Sequence, residues 1–226
     1  QGGIVYKSEL DSEAPNEFEV PEFSEVDKVL RERYRQILDK ADVALIQTEP
    51  DLPTLHAFSI PLQSGIAFVF VNASDEPVAF TADCTSHIRH HQPRFANNAL
   101  RIAMNLGSWQ AGLIAVDNQG RIFVAEGSGQ IFVNGELIAE GKGHFALVSD
   151  GDADLRGATR LWLFPYDTTT ITVRRKRGAP VLKVAEVSEW RNGERKVLER
   201  VSAKQHINAV TVKVVDDLKG EVALLF

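Results

Sequence analysis

The sequence predicts a mainly β fold, an antiparallel β-sandwich of jelly-roll or immunoglobulin-like type, with one N-terminal α-helix. Three observations carry this. Short apolar runs recur through most of the chain at a spacing of about 8 to 12 residues, with turn residues between them. From Asp117 to Tyr166 these runs repeatedly meet Gly, Asn and Asp: Gly120, Gly127, Gly129, Asn134-Gly135, Gly141, Gly143 and Asp150-Gly151. Such residues suit tight reversals, so the stretch reads as five strands in an antiparallel meander. Only one segment, from Ser24 to Lys40, carries a helical period.

The composition sets the outer limits. With 226 residues, 44% hydrophobic and 25% charged, the chain suits one large sandwich and neither general disorder nor a membrane class. No apolar run approaches the roughly 20 residues of a bilayer span, so no membrane span is expected. A net charge of −6 and a pI near 5.6 argue against nucleic-acid partners, which call for a concentrated basic surface. Arg174-Arg175-Lys176-Arg177 follows a strand, ends at Gly178 and reads as a solvated turn. Cys84 is the single cysteine, so no internal disulfide forms. A chain opening at Gln1 points to export or to a piece of a longer polypeptide.

Three regions follow in order. Residues 1–23 hold Asp11, Glu13, Glu17, Glu19 and Glu22 with Pro15 and Pro21, and read as an acidic extended arm or linker. Residues 24–41 form an amphipathic helix: Val26, Val29, Leu30, Tyr34, Ile37, Leu38 and Ala41 recur at spacings of three and four, Ser24 caps it, and its apolar face packs on the sandwich or a partner domain. Residues 42–226 are the β-sandwich domain. Its strands are placed at 43–47, 55–60, 66–72 and 78–82, with Ser74 to Pro77 closing a hairpin between the last two. Further strands are placed at 100–104 and 110–116, in the meander, and at 170–174, 181–187, 196–200, 209–215 and 222–226. Asn192-Gly193 is a hairpin signal. The total is about fourteen strands.

Chemistry is sparse. His87, His90 and His91 are the densest group of metal-capable side chains, flanked by Arg89 and Arg94 that repel a cation. They are also the centre of one alternative reading, a stand-alone hydrolase. Asp150, Asp152 and Asp154 alternate in an acidic loop of the kind that wraps calcium, although Leu161 stands where a twelfth-position Glu belongs. No other cofactor is suggested. Gly127-Ser128-Gly129 and Gly141-Lys142-Gly143 fall between expected strands and read as hairpin turns, not phosphate cradles. Trp109, Trp162, Trp190 and Tyr166 offer flat faces for sugar rings, against the alternative of core or interface packing.

From Gly143 to Val173 the chain carries Ser149-Asp150-Gly151 followed by Arg160-Leu161-Trp162-Leu163, and from Val187 to Arg200 a Ser-Glu-Trp-Arg-Asn-Gly hairpin. These stretches resemble the C-terminal all-β sandwich module of large bacterial glycoside hydrolases. The resemblance covers 60 to 85 residues and contains no catalytic motif. It implies a non-catalytic carbohydrate-associated module, extracellular or periplasmic, that partners a catalytic barrel domain or other subunit and a polysaccharide. The barrel needs about 250 residues and is not in this chain. Any enzyme activity would then be that of a glycoside hydrolase partner. A further alternative is an extracellular structural or filament-forming protein whose N-terminal arm adds a strand to the next copy.

Overall fold

The computed structural model describes residues 46–86, 88, 99–150, 153–191, 194–200, 203–214 and 220–226. The expected arm 1–23 and helix 24–41 lie outside the described residues, as do His87, His90, His91 and Asp152. The chain divides into two compact units, Gln1–Ala44 and Leu45–Phe226, and everything below concerns the second.

That unit is mainly β. Its strands are β1 (Gln47–Glu49), β2 (Leu55–Leu62), β3 (Gly65–Asn72), β4 (Val78–Asp83), β5 (Arg101–Leu106), β6 (Ala111–Asp117), β7 (Ile122–Val133) and β8 (Glu136–Ser149). They continue with β9 (Arg160–Pro165), β10 (Thr170–Arg174), β11 (Val184–Arg191), β12 (Glu194–Arg200), β13 (Ala203–His206), β14 (Ala209–Lys213) and β15 (Glu221–Leu225). Every described pairing is antiparallel.

The strands form one hydrogen-bonded system that folds into two facing layers, giving a sandwich-like architecture. One layer runs β2-β3-β6-β7-β8-β9-β15-β11-β12 and the other β1-β4-β5-β7-β8-β10-β14-β13. The long hairpin β7–β8 belongs to both. Its first half pairs β6 and β9, and its turn half pairs β5 and β10. Strands that switch sheets in this way need a bulge or a bend. Here Ser128 pairs His144 and Gln130 pairs Glu140, so β8 carries 141–143 against the single residue Gly129, which bends the hairpin. Gly129 sits at φ +66.

Period-two burial explains why the layers meet. In β4, β5, β9 and β10 alternate residues are buried, and their apolar side chains join a single core. Phe68, Phe70, Phe145, Ile102, Ile131 and Leu147 lie fully inside it. Phe70 on β3 meets Phe80 on β4 with ring centroids 4.9 Å apart, a contact across the two layers. β3 is buried on nearly every residue, which matches its unbroken apolar run.

Three sequence expectations are corrected. The Gly127-Ser128-Gly129 and Gly141-Lys142-Gly143 segments are not hairpin turns; they lie inside β7 and β8 at the bend, so two long strands replace four short ones and the meander has fewer members than expected. Residues 73–77 do not close a hairpin. β3 pairs β2 and β6, while β4 pairs β1 and β5, so the chain crosses there from one layer to the other. Buried Asn72 holds that crossing: its Nδ2 donates to Glu76 O at 2.7 Å and to Gly107 O at 2.8 Å. Thirdly, β13 was not anticipated; its exposed Lys204, Gln205 and His206 give no apolar alternation. By contrast, Asn134-Gly135 is the expected tight turn, both residues having positive φ. β11 and β12 likewise pair directly on either side of residues 192–193.

Candidate functional site

Outward-facing side chains of the first layer gather where the hairpin bends. On β9, Leu161 and Leu163 point into the core, so Trp162 and Phe164 face outward, and Tyr166 continues the same side just past the strand. Three aromatic rings therefore form a row at intervals of about 6.7 Å along one strand. Trp162 and Phe164 are half-buried, and Tyr166 is 59% exposed. The guanidinium of Arg160 lies 5.9 Å from the Trp162 ring centroid.

Beside Tyr166 the register brings polar groups into line. Tyr166 N donates to His144 O at 3.1 Å, and the two rings lie 5.2 Å apart at 30°. His144 is the ladder partner of Ser128, two residues along β7 from Glu126 on the same face. His144 Nε2 stands 3.0 Å from Glu126 Oε1, and its Nδ1 stands 3.3 Å from Ser128 Oγ. Ser128 Oγ donates to Gln110 Oε1 at 2.6 Å, and Gly107 N donates to the same oxygen at 2.8 Å, which fixes that atom as the amide carbonyl. His144 N donates to the Asp167 carboxylate. Partial burial, with the Glu126 charge adding to it, pushes the Tyr166 phenol above its ordinary value, so it remains a hydrogen-bond donor at neutral pH. The His144 and Glu126 side chains are 12% and 29% exposed, open enough to meet a ligand.

The other candidate residues fall elsewhere. Trp109, at φ 55 in the turn before Gln110, is 54% exposed and donates its indole N–H to Asp75 Oδ1 at 2.7 Å. Trp190 falls in β11 in register with Arg195. Asp154 is buried and occupied by cations, with Arg156 Nε at 3.2 Å and Lys176 Nζ at 3.3 Å. Asp150 lies 3.8 Å from Arg160. Among the described residues no group of three His, Cys, Asp or Glu side chains converges on a metal position. Cys84 is buried in the core, where burial, with Asp83 adding to it, pushes its thiol well up and withholds the nucleophilic thiolate.

Trp162 and Tyr166 are both sequence candidates, and Phe164, which the alternation 162, 164, 166 places between them, is an addition from the structure. Sequence reasoning missed Gln110, Glu126, Ser128 and His144, which come from two strands and a turn and meet only through register. Compared with known proteins, the chain matches no family model, no curated protein and no solved structure.

Proposed function

We propose that the chain is a carbohydrate-associated β-sandwich module, accessory to a glycoside hydrolase catalytic domain and non-catalytic toward the glycosidic bond. One observation carries the reading: the outward row Trp162-Phe164-Tyr166, bordered by Glu126, His144 and Asp167. Flat aromatic faces cover the apolar C–H faces of sugar rings, and carboxylate and imidazole groups beside them take the hydroxyls. In this reading the polysaccharide lies along β9, the catalytic barrel is supplied by a partner domain or subunit, and the setting is extracellular or periplasmic. The sandwich in this reading is of jelly-roll or immunoglobulin-like type.

The test is retention of the full chain in native gels cast with soluble polysaccharides of different backbone linkage. Tyr166→Ala should weaken retention about tenfold, since losing one stacked ring removes about 1.4 kcal/mol. Adding Trp162→Ala should abolish it. Retention that survives the double change, or no retention of the wild-type chain by any polysaccharide, overturns the reading.

A further inference from the structure

The bend also brings together the three side chains of a hydroxyl nucleophile, a base and an orienting carboxylate. We propose that Ser128, His144 and Glu126 form an acyl-transfer relay that hydrolyses short-chain carboxylic esters at the outer sheet face, an activity separate from sugar binding. The roles follow from the contacts. Glu126 Oε1, 3.0 Å from His144 Nε2, accepts that N–H and leaves Nδ1 as the unprotonated base. Nδ1 is 3.3 Å from Ser128 Oγ, within the loose range usual before substrate binds. In the resting arrangement the Ser128 proton points to Gln110 Oε1, and rotation about Cβ–Oγ turns it to Nδ1. Ser128 sits between two glycines, and Gly129 has no partner in either ladder: on the β8 side Ser128 and Gln130 pair, and on the β5 side Ser128 and Ile131 pair. In this relay the backbone N–H of Gly129, in the bulge just after the nucleophile, is the donor called on for the developing oxyanion.

The reaction closes without any added reagent. Ser128 Oγ bonds to the ester carbonyl carbon as its proton passes to His144 Nδ1, and Glu126 stabilises the imidazolium. The carbon–oxygen bond to the alcohol then breaks, and the alcohol leaves with the proton from Nδ1. Water attacks the acyl-serine, gives its proton to Nδ1, and the acid departs as Ser128 regains that proton. Ser128 is half-buried and the His144 side chain is only 12% exposed, so the relay admits small acyl groups best. In this reaction Glu126 is a positioning residue that acts through His144 and does not touch the ester.

The experiment uses probes that carry no sugar, so it is independent of polysaccharide binding. The full chain is treated with a fluorophosphonate and digested for mass spectrometry, and p-nitrophenyl acetate hydrolysis is followed in parallel. Expected are a phosphonyl adduct on Ser128, a burst of p-nitrophenolate, loss of both in Ser128→Ala and in His144→Phe, and in Glu126→Gln a slowing of about tenfold or more with a shifted pH profile. The proposal is overturned if wild-type chain takes no label at Ser128, or if labelling and hydrolysis persist in His144→Phe with an unchanged melting temperature.

Discussion

Replacing Gly143 by Ala tests whether the bend of β7–β8 holds the site together. A Cβ there would sit 2.6 Å from the Asp167 main-chain oxygen and closer still to its Oδ1, the oxygen that accepts the His144 N–H. The carboxylate must swing away and the 166–168 link must shift. Losing a charge-assisted hydrogen bond costs about 1.5–3 kcal/mol and overpacking about 1–3 kcal/mol, while alanine returns about 0.5–1 kcal/mol by stiffening the unfolded chain. The net is about 3 kcal/mol, which for a chain of this size lowers Tm by about 6–12 °C. Gly135→Ala is the matched control. Gly135 lies at φ +79 with nothing within 4 Å of the added carbon, so the change strains one turn residue by about 1 kcal/mol and leaves His144 where it is. Thermal melts followed by circular dichroism, with polysaccharide retention measured on the same samples, separate the two. Gly143→Ala should lose both stability and retention, Gly135→Ala only a little stability. Equal melting temperatures for the two variants, or full retention by Gly143→Ala, would refute the packing argument.

Two other predictions concern the charged groups near β9. Arg175 is buried, donates to Leu155 O at 2.9 Å and Ala158 O at 2.6 Å, and lies 3.7 Å from the Phe226 ring centroid. Burial pushes its guanidinium down to about 10, against the opposing pull of Asp154, and removing it would leave two buried carbonyls without their donor and the Phe226 ring without its cation. Arg175→Met should therefore lose about 2–4 kcal/mol in urea unfolding, and a loss below 1 kcal/mol would show that the carbonyls find other donors. At Asp154, burial alone would raise the carboxyl, but hydrogen bonds and charges from Arg156, with Lys176 adding its charge, hold it below the usual carboxylate range. Its folded value lies below its unfolded value near 3.9, so its contribution is present above about pH 4 and is lost as pH falls through the folded value. The stability gap between wild type and Asp154→Asn, measured by urea melts from about pH 7 to pH 3, should close on the acid side; a gap constant with pH would contradict this.

Much of the strand content was legible because burial on one face imposes period two on the sequence. β2, β3, β4 and β10 stand almost where their apolar runs place them. Asn134-Gly135 was legible for a different reason, since both residues adopt positive φ, which few residue types tolerate. Gly127, Gly129, Gly141 and Gly143 were misread because glycine serves a hairpin turn and a mid-strand bend equally well, and only the paired strand tells the two apart. Residues 73–77 misled for a related reason: a short polar link looks the same whether the next strand pairs with the last or crosses to the opposite layer. At the site, Trp162 and Tyr166 were legible as aromatics on an alternating strand, whereas Ser128 and His144 are 16 residues apart and became neighbours through the β7–β8 register.

By itself the sequence determined that the chain is mainly β, where many of its strands run, and where its tightest turn falls. These follow from local rules: side-chain alternation, apolar burial and permitted φ. The tertiary structure alone decided that β7 and β8 are long, bent and shared by two layers, and that Gln110, Ser128, Glu126, His144 and Tyr166 come together at that bend. Strand pairing is a choice among distant partners made by the core as a whole. No window of sequence around Ser128 contains the residues that surround it.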